Sequence, residues 1–148
     1  MIKTIVHYSD LHLKLYKHHD RDKSILENAL IEWKKINPDR IVFTGDLVHS
    51  KNQMTPELVR LLSWWMTETS KICPTIYLIG NHDFLENNQD RLDALTPIIE
   101  NLNNPNITYY KDRGCYEEEN IMWCIYSLVQ ENEKPEIPET DKTKIGLF

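Results

Sequence analysis

The first 79 residues alternate between two hydrophobic periodicities. Short runs rich in β-branched and aromatic residues at 4–8, 40–44 and 75–79 predict three strands. Between these runs, apolar side chains recur at the spacing of an amphipathic helix. These apolar positions are Ile25, Leu26, Ala29, Leu30 and Trp33 in the first helix, and Leu58, Val59, Leu61, Leu62, Trp65 and Met66 in the second.

Capping signals mark the ends of these two helices. Asp22 is placed to cap the first helix and Pro38 to end it, while Thr55 followed by Pro56 is typical of a helix start. The resulting order of strand, helix, strand, helix and strand implies right-handed crossovers. The sequence therefore predicts an α/β fold with a largely parallel sheet covered by helices.

The pattern changes after residue 88. Apolar residues from Leu92 to Leu102 predict a third helix, which Thr96 and Pro97 should break or restart. Strand-like runs follow and predict a β-meander, then an acidic loop, then the start of another buried strand. These segments are 107–110, 114–118 and 121–128 for the meander, 130–142 for the loop and 144–148 for the last strand. We expect residues 1–148 to form one domain.

The composition argues against a membrane-spanning protein and against a disulfide-rich one. Apolar residues make up 41% and charged residues 27% of the chain, and no apolar run approaches the roughly 20 residues of a membrane helix. The three cysteines form no CxxC pair, which favours a cytoplasmic, reducing setting without disulfides. The net charge of −6 comes mostly from residues 117–141. We therefore do not expect a broad basic face, so any phosphate recognition should be concentrated at a site.

The candidate chemistry follows the three predicted strands. Asp10 and His12 come after the first strand, Asp46 and His49 after the second, and Asn81 and His82 after the third. Taken singly, an Asp or Asn after a strand is usually a turn former or helix cap. However, the carboxyl ends of parallel strands share one edge, so the three loops should converge. Their oxygen and imidazole donors suit divalent ions such as Mn, Fe or Zn.

These loops carry three motifs: Asp10-Leu11-His12, Gly45-Asp46-Leu47-Val48-His49 and Gly80-Asn81-His82-Asp83. Together they resemble the calcineurin-like metallophosphoesterase superfamily, whose signature is DxH, GDxx(D/H) and GNH(D/E). The resemblance implies layered β sheets flanked by helices and two divalent metal ions. It also implies that Asp10 and His12 bind one metal, that Asp46 bridges both, and that Asn81 binds the second.

The same resemblance implies roles for the two remaining histidines. His82 would meet the leaving oxygen as a general acid or charge-stabilising donor. His49 stands where phosphatases hold an aspartate, and would orient His82 or touch the scissile phosphate. The stretches SDLHL and TGDLVHSKNQMTPEL are similar to those of SbcD-type double-strand-break repair nucleases and phage recombination endonucleases. That subtype implies a Mn-dependent exo- or endonuclease that acts on DNA in repair and recombination. It also implies an SbcC-like coiled-coil ATPase as a partner, and it leaves a homodimer open.

One departure from the family pattern leaves alternatives open. The family supplies three further histidines downstream of the meander, whereas the six histidines of this chain end at His82. We therefore expect a truncated form, a split gene product or a fragment of a longer nuclease, with little activity at 148 residues. Alternatively, the chain is a catalytically incomplete fold that serves as a binding scaffold, or a phosphodiesterase for nucleotides or phosphoproteins.

Overall fold

The computed structural model describes residues 1–50, 53–85, 91–130 and 134–148. Within these ranges, seven strands and three α-helices follow the order of the predicted pattern. They are β1 (Ile5–Tyr8), α1 (His19–Ile36), β2 (Arg40–Phe43), α2 (Pro56–Ser70), β3 (Thr75–Leu78), α3 (Thr96–Leu102), β4 (Ile107–Tyr110), β5 (Gly114–Glu118), β6 (Ile121–Ile125) and β7 (Thr143–Leu147). A short 3-10 turn spans Leu128–Gln130.

The strands form two sheets. One has four parallel strands in the order β1-β2-β3-β4, and the other has three strands in the order β5-β6-β7. The predicted α/β class, the N-terminal βαβαβ unit and the layered sheets flanked by helices are therefore confirmed. The last strand is also present, and it pairs with β6 in parallel.

The predicted β-meander is wrong in its first strand. Residues 107–110 form β4, which pairs with β3 in parallel, so only β5 and β6 make an antiparallel hairpin. A four-residue apolar run carries no information about its direction or its partner, and the short helix α3 provides the crossover that makes β4 parallel. The predicted strand at 121–128 ends at Ile125.

Two helix boundaries also differ from the prediction. Helix α1 begins at His19 rather than near Asp22, and α3 begins at Thr96, where the sequence suggested a break. Of the predicted acidic loop at 130–142, residues 131–133 lie outside the described residues. The described part from 134 to 142 contains neither helix nor strand.

Packing arranges the chain in three layers. The apolar face of α2, including Leu62, Trp65 and Met66, packs with Phe43 and Tyr77 of the first sheet. The opposite face of that sheet packs on the second sheet, where Val42, Ile76 and Leu78 join Ile121, Trp123 and Ile125. Strand β3 and most of β2 are buried because both faces of the sheet are covered. The strand ends are therefore where polar side chains can reach solvent. No helix in the described part of the chain has the length and apolar character that crossing a bilayer requires.

An ion pair locks the two sheets together. The Arg40 guanidinium donates through Nε to Glu118 Oε1 at 2.8 Å, and the Trp123 indole donates to Glu118 Oε2 at 2.9 Å. Burial alone would raise the pKa of Glu118, but these two donors outweigh it and lower the pKa. Arg40 opens β2, so this lock lies at the edge of the sheet opposite to the loops that follow β1, β2 and β3.

A buried carboxylate fixes the start of α3. Asp93 accepts hydrogen bonds from the backbone N–H of Leu95 at 2.9 Å and of Thr96 at 2.7 Å, and it pairs with Lys111 Nζ at 3.1 Å. Burial raises the pKa of Asp93, but the hydrogen bonds from Thr96 and Lys111 outweigh it, and the net pKa is lowered. Asp93 thus ties α3 to the residue that follows β4.

We predict that Asp93→Asn lowers the free energy of unfolding at pH 7 by about 2 kcal/mol, the range for charged hydrogen bonds. Because the folded-state pKa is depressed, the contribution of Asp93 is present above its unfolded pKa and is lost as the pH falls through the folded value. Urea denaturation at pH 7 and pH 3 should therefore show a difference that shrinks in acid. Asp112→Asn, at an exposed position, is the control, and an equal difference at both pH values would contradict the prediction.

Candidate metal centre

The loops after β1 and β2 continue the pairing of their strands. The backbone N–H of Asp10 donates to the Gly45 carbonyl at 3.0 Å, and that of His12 donates to the Asp46 carbonyl at 3.0 Å. Leu13 then forms a parallel bridge with Val48. The two loops therefore run side by side past the ends of the strands, which brings their polar side chains to one edge of the sheet.

The backbone of these loops adopts a conformation that is rare for residues with side chains. Asp10, His12 and Asp46 have φ angles of 58°, 46° and 63°, in the left-handed region. Such strain is uncommon and clusters at functional sites, where surrounding structure maintains it. Three of the predicted metal ligands therefore occupy strained positions.

Close approach of the loops after β2 and β3 requires glycine in both. Gly45 has a φ of 102°, and a Cβ there would lie 2.6 Å from the Cα of Gly80. A Cβ on Gly80 would overlap the backbone nitrogen of Asp46. The two glycines thus let the main chains touch, so that Asp46 lies directly beside the Gly80-Asn81-His82-Asp83 loop.

Ligand-type atoms from all three loops meet at this edge. His12 Nε2 lies 3.6 Å from Asp10 Oδ1 and 3.7 Å from Asp46 Oδ2. Among the described residues, His12, Asp46 and His82 each offer one ligand-type atom, and these atoms all lie within 4.8 Å of one another. Asp46 is the common neighbour, with 15% of its side chain exposed.

The hydrogen bonding of His12 fits a bound cation. Its Nδ1 atom is buried and has no hydrogen-bond partner among the described residues, while Nε2 faces the two carboxylates at distances beyond a hydrogen bond. Buried polar atoms without a partner are rare in proteins. Carboxylate oxygens and imidazole nitrogens without thiolates are suited to Mn, Fe or Zn.

Asn81 lies against the carboxylate of Asp46. With its amide nitrogen turned towards Asp46, it donates to Oδ2 at 3.0 Å and to Oδ1 at 3.1 Å. With its amide oxygen turned there, three oxygens would face one another and would need a cation between them. The orientation of an Asn amide is assigned from its hydrogen-bond partners, so Asn81 can be a donor to Asp46 in the free protein and a ligand in a loaded one.

His82 and His49 lie on the same side of the centre. His82 donates from Nδ1 to the backbone carbonyl of His49 at 3.0 Å, which leaves Nε2 as the free nitrogen. The two rings stack with centroids 6.0 Å apart, and the His82 ring is 4.7 Å from that of His12. The contact that orients the His82 ring is thus made by the main chain of His49. A ring N–H bonded to a carbonyl is also usual for a metal-bound histidine.

Asp83 is the positioning residue that the sequence analysis missed. Its carboxylate is fully buried and accepts four backbone N–H groups. Oδ2 accepts from Asp46 and Gly80 at 2.9 Å each, and Oδ1 accepts from Leu47 at 2.9 Å and Val48 at 3.1 Å. In return, the Asp46 carboxylate accepts the N–H of His82 at 2.9 Å. Its place at the end of the Gly80–Asp83 run was the available signal.

The pKa of Asp83 shows that burial disfavours the charged form of this carboxylate. Burial raises the pKa to about 6, the backbone N–H groups oppose that rise, and the nearby Asp46 carboxylate adds to it. The carboxylate is thus held in the protein interior by main-chain donors alone, without a basic side chain among the causes of the shift.

Comparisons with known proteins agree with this geometry. The family described as Calcineurin-like phosphoesterase matches residues 3–136 of the chain. The viral protein named "Uncharacterized protein R555", from Acanthamoeba polyphaga mimivirus, is 36% identical over 135 residues. The match covers 88% of this chain and 10% of the viral protein, so the chain spans about a tenth of the length of that relative.

We predict that Asp46→Ala weakens Mn²⁺ binding more than His12→Ala does. Asp46, in the loop after β2, lies against the loops after β1 and β3 through His12, Asn81 and His82, whereas His12 offers a single nitrogen. Calorimetric titration of Mn²⁺ into the two variants measures the difference. His7→Ala, which removes a histidine bonded to Thr44 instead, is the control. Equal losses in the two variants would count against the central position of Asp46.

We predict that Asp83→Asn lowers Mn²⁺ affinity by about 10- to 100-fold, the range for residues that orient metal ligands. Asparagine keeps one oxygen for two of the four N–H groups and turns an NH₂ group against the other two. Calorimetry at constant pH measures the loss. Glu118→Gln, which disturbs the lock at the opposite edge, should lower the melting temperature but leave Mn²⁺ affinity within about twofold. If both variants lose affinity alike, Asp83 matters only through stability.

Proposed function

Since the chain belongs to the calcineurin-like phosphoesterase family, which implies metal-dependent hydrolysis of phosphoesters, we propose that its substrate is the phosphodiester backbone of DNA. The observation that supports hydrolysis at this edge is the convergence of His12, Asp46 and His82, with Asp10 and Asn81 beside them. These are the side chains that we propose as ligands and as acid.

The proposed cofactor is a pair of divalent ions, with Mn²⁺ as the metal. Asp10 and His12 would hold one ion, Asn81 the other, and Asp46 both. When bound, such a pair would supply the positive charge that polarises a phosphoryl group and makes a water more acidic near neutral pH. The residues of this chain contribute a fixed arrangement of donors, because the loops are clamped to one another by main-chain hydrogen bonds.

His82 is proposed to act on the leaving oxygen. Its Nδ1–H is held by the carbonyl of His49, so a proton gained by the ring would reside on Nε2. A protonated Nε2 can donate to the oxygen that develops negative charge as the phosphodiester bond breaks. His49 is proposed to touch the scissile phosphate with its ring, since its carbonyl already fixes His82.

Similarity of motifs supports DNA over other phosphodiesters. Phosphoprotein phosphatases carry GDxxDRG and GNHE, whereas this chain has GDLVHSKN and GNHD, which resemble the motifs of SbcD-type nucleases. On that basis we propose a role in recombination and repair, with an SbcC-like ATPase as partner. A scaffold that binds without hydrolysing, and a phosphodiesterase for smaller substrates, are the alternatives that an assay must separate.

The test is hydrolysis with Mn²⁺ by two purified forms, the 148-residue chain and a longer chain that supplies the three further histidines of the family. The three substrates are linear double-stranded DNA, single-stranded DNA and bis(p-nitrophenyl) phosphate. The expected result is cleavage of DNA by the longer form, abolished by EDTA and absent in its Asp46→Asn variant, with little activity from the 148-residue chain. Hydrolysis of the small ester alone would favour the other phosphodiesterase class. Mn²⁺ binding without hydrolysis of any substrate by the longer form would favour the scaffold.

We predict that His82→Ala in the longer form lowers the rate of cleavage by about two to four orders of magnitude, as for loss of a general acid, while Mn²⁺ affinity stays within about threefold. Steady-state kinetics and calorimetry on the same preparation measure the two effects. His7→Ala, outside the centre, controls for loss of a histidine. A variant that loses its Mn²⁺ would move His82 from the acid to the ligand set.

A further inference from the structure

A basic cavity adjoins the candidate metal centre. It has a volume of about 270 Å³ and is lined by Lys14, Leu15, Tyr16, Lys17, His49 and Ser50. Among the described residues that line it, two are lysines and none is acidic. In a chain with a net charge of −6, such a cavity is a local concentration of positive charge.

His49 joins this cavity to the centre. Its ring lies 6.0 Å from that of His82 and 5.9 Å from that of His12, and it also lines the cavity. The backbone N–H of His49 donates to the Leu13 carbonyl at 3.0 Å, and Lys14 is the next residue. A substrate with its scissile phosphate beside His49 would therefore extend into the cavity.

The loop that carries the lysines is anchored on both sides. The His19 ring donates to the Lys14 carbonyl at 2.5 Å, and the Thr55 hydroxyl donates to the Leu15 carbonyl. Leu13, which precedes them, is only 4% exposed. The backbone from 13 to 15 is thus fixed before any ligand arrives, which reduces the entropy cost of binding.

Tyr16 adds a flat apolar surface to the positive charge. The residue is 63% exposed, so its ring is accessible to a ligand that enters the cavity. Basic side chains combined with an exposed aromatic ring match the way proteins bind single nucleic-acid strands, by charge on phosphates and stacking on bases. The cavity is about the size of the smaller ligand sites in proteins, which suits one nucleotide rather than a folded partner.

We propose that this cavity binds the nucleotide next to the scissile phosphodiester of a single nucleic-acid strand. Lys14 and Lys17 contact its phosphates, and Tyr16 stacks on its base. This inference rests on the proposed function, because it assigns to the same centre a substrate with a second phosphate and a base. A small phosphodiester, which has neither, would leave the cavity unused.

The test measures binding without catalysis. Fluorescence anisotropy of a labelled 12-nucleotide strand (a length of about the site size of one single-strand-binding fold) is recorded in EDTA at several salt concentrations. The K14A/K17A double variant should bind about tenfold more weakly, with a salt slope lower by about 1.4 for two lost phosphate contacts. Tyr16→Ala should lose at least about fivefold, and Tyr16→Phe should bind within twofold of the original chain.

Two controls make the result specific. The K34A/K35A double variant removes the same two positive charges near the other end of α1, about 22 Å along the helix from His19, and should not change the affinity. An abasic strand of equal length should bind equally well to the original chain and to Tyr16→Ala. The variants' melting temperatures verify that they fold.

The proposal is overturned if K14A/K17A binds the strand as well as the original chain, or if K34A/K35A loses as much affinity as K14A/K17A. An equal loss of abasic-strand binding in Tyr16→Ala would remove the stacking role. Tighter binding of a doubly phosphorylated peptide than of the strand would assign the cavity to a protein substrate. These outcomes do not depend on hydrolysis, so failure of the cavity proposal and failure of the phosphodiesterase proposal can be told apart.

Discussion

The buried carboxylate of Asp83 is the interaction on which the rest of the site depends. Four backbone N–H groups from two loops, those of Gly80, Asp46, Leu47 and Val48, converge on its two oxygens. Without this carboxylate, the four N–H groups would be buried without hydrogen-bond partners. Leaving them unpaired would cost free energy comparable to that of the lost hydrogen bonds. The carboxylate therefore forces the loops after β2 and β3 to pack together. Every side chain of the centre except those in the loop after β1 is positioned by this contact.

The layered fold explains why the chemistry is confined to one edge. Helices cover one face of the parallel sheet, and the second sheet covers the other face. The central strands β2 and β3 therefore contribute apolar side chains to a hydrophobic core on each side. Polar groups can then be displayed only where strands end. The Arg40–Glu118 pair closes the opposite edge and fastens the sheets together there, which leaves the carboxyl edge free for loops that bind ligands.

The sequence predicted the features that local residue patterns determine. It did not predict those that depend on which parts of the chain pair with one another in the folded protein. The Thr55–Pro56 start of α2 and the convergence of Asp10, Asp46 and Asn81 follow from capping chemistry and from parallel strand order. The direction of β4 did not follow, because its four residues pair equally well either way until α3 fixes the crossover. Asp83 was missed because an aspartate that accepts only main-chain groups has no partner visible in a sequence. The cavity lined by Lys14 and Tyr16 could not be predicted either, because it depends on the path that the loop after β1 takes in the folded protein.

The bridge between Leu13 and Val48 has a consequence for how this site can vary. Loops at the ends of strands generally tolerate changes of length, since they rarely take part in the regular pairing of a sheet. Here the two loops continue that pairing, so adding or deleting one residue would shift the register of every donor that follows. The spacing between the motifs is therefore as important to the site as the residues within them. The two loops cannot change length without moving the ligand-type side chains that they carry.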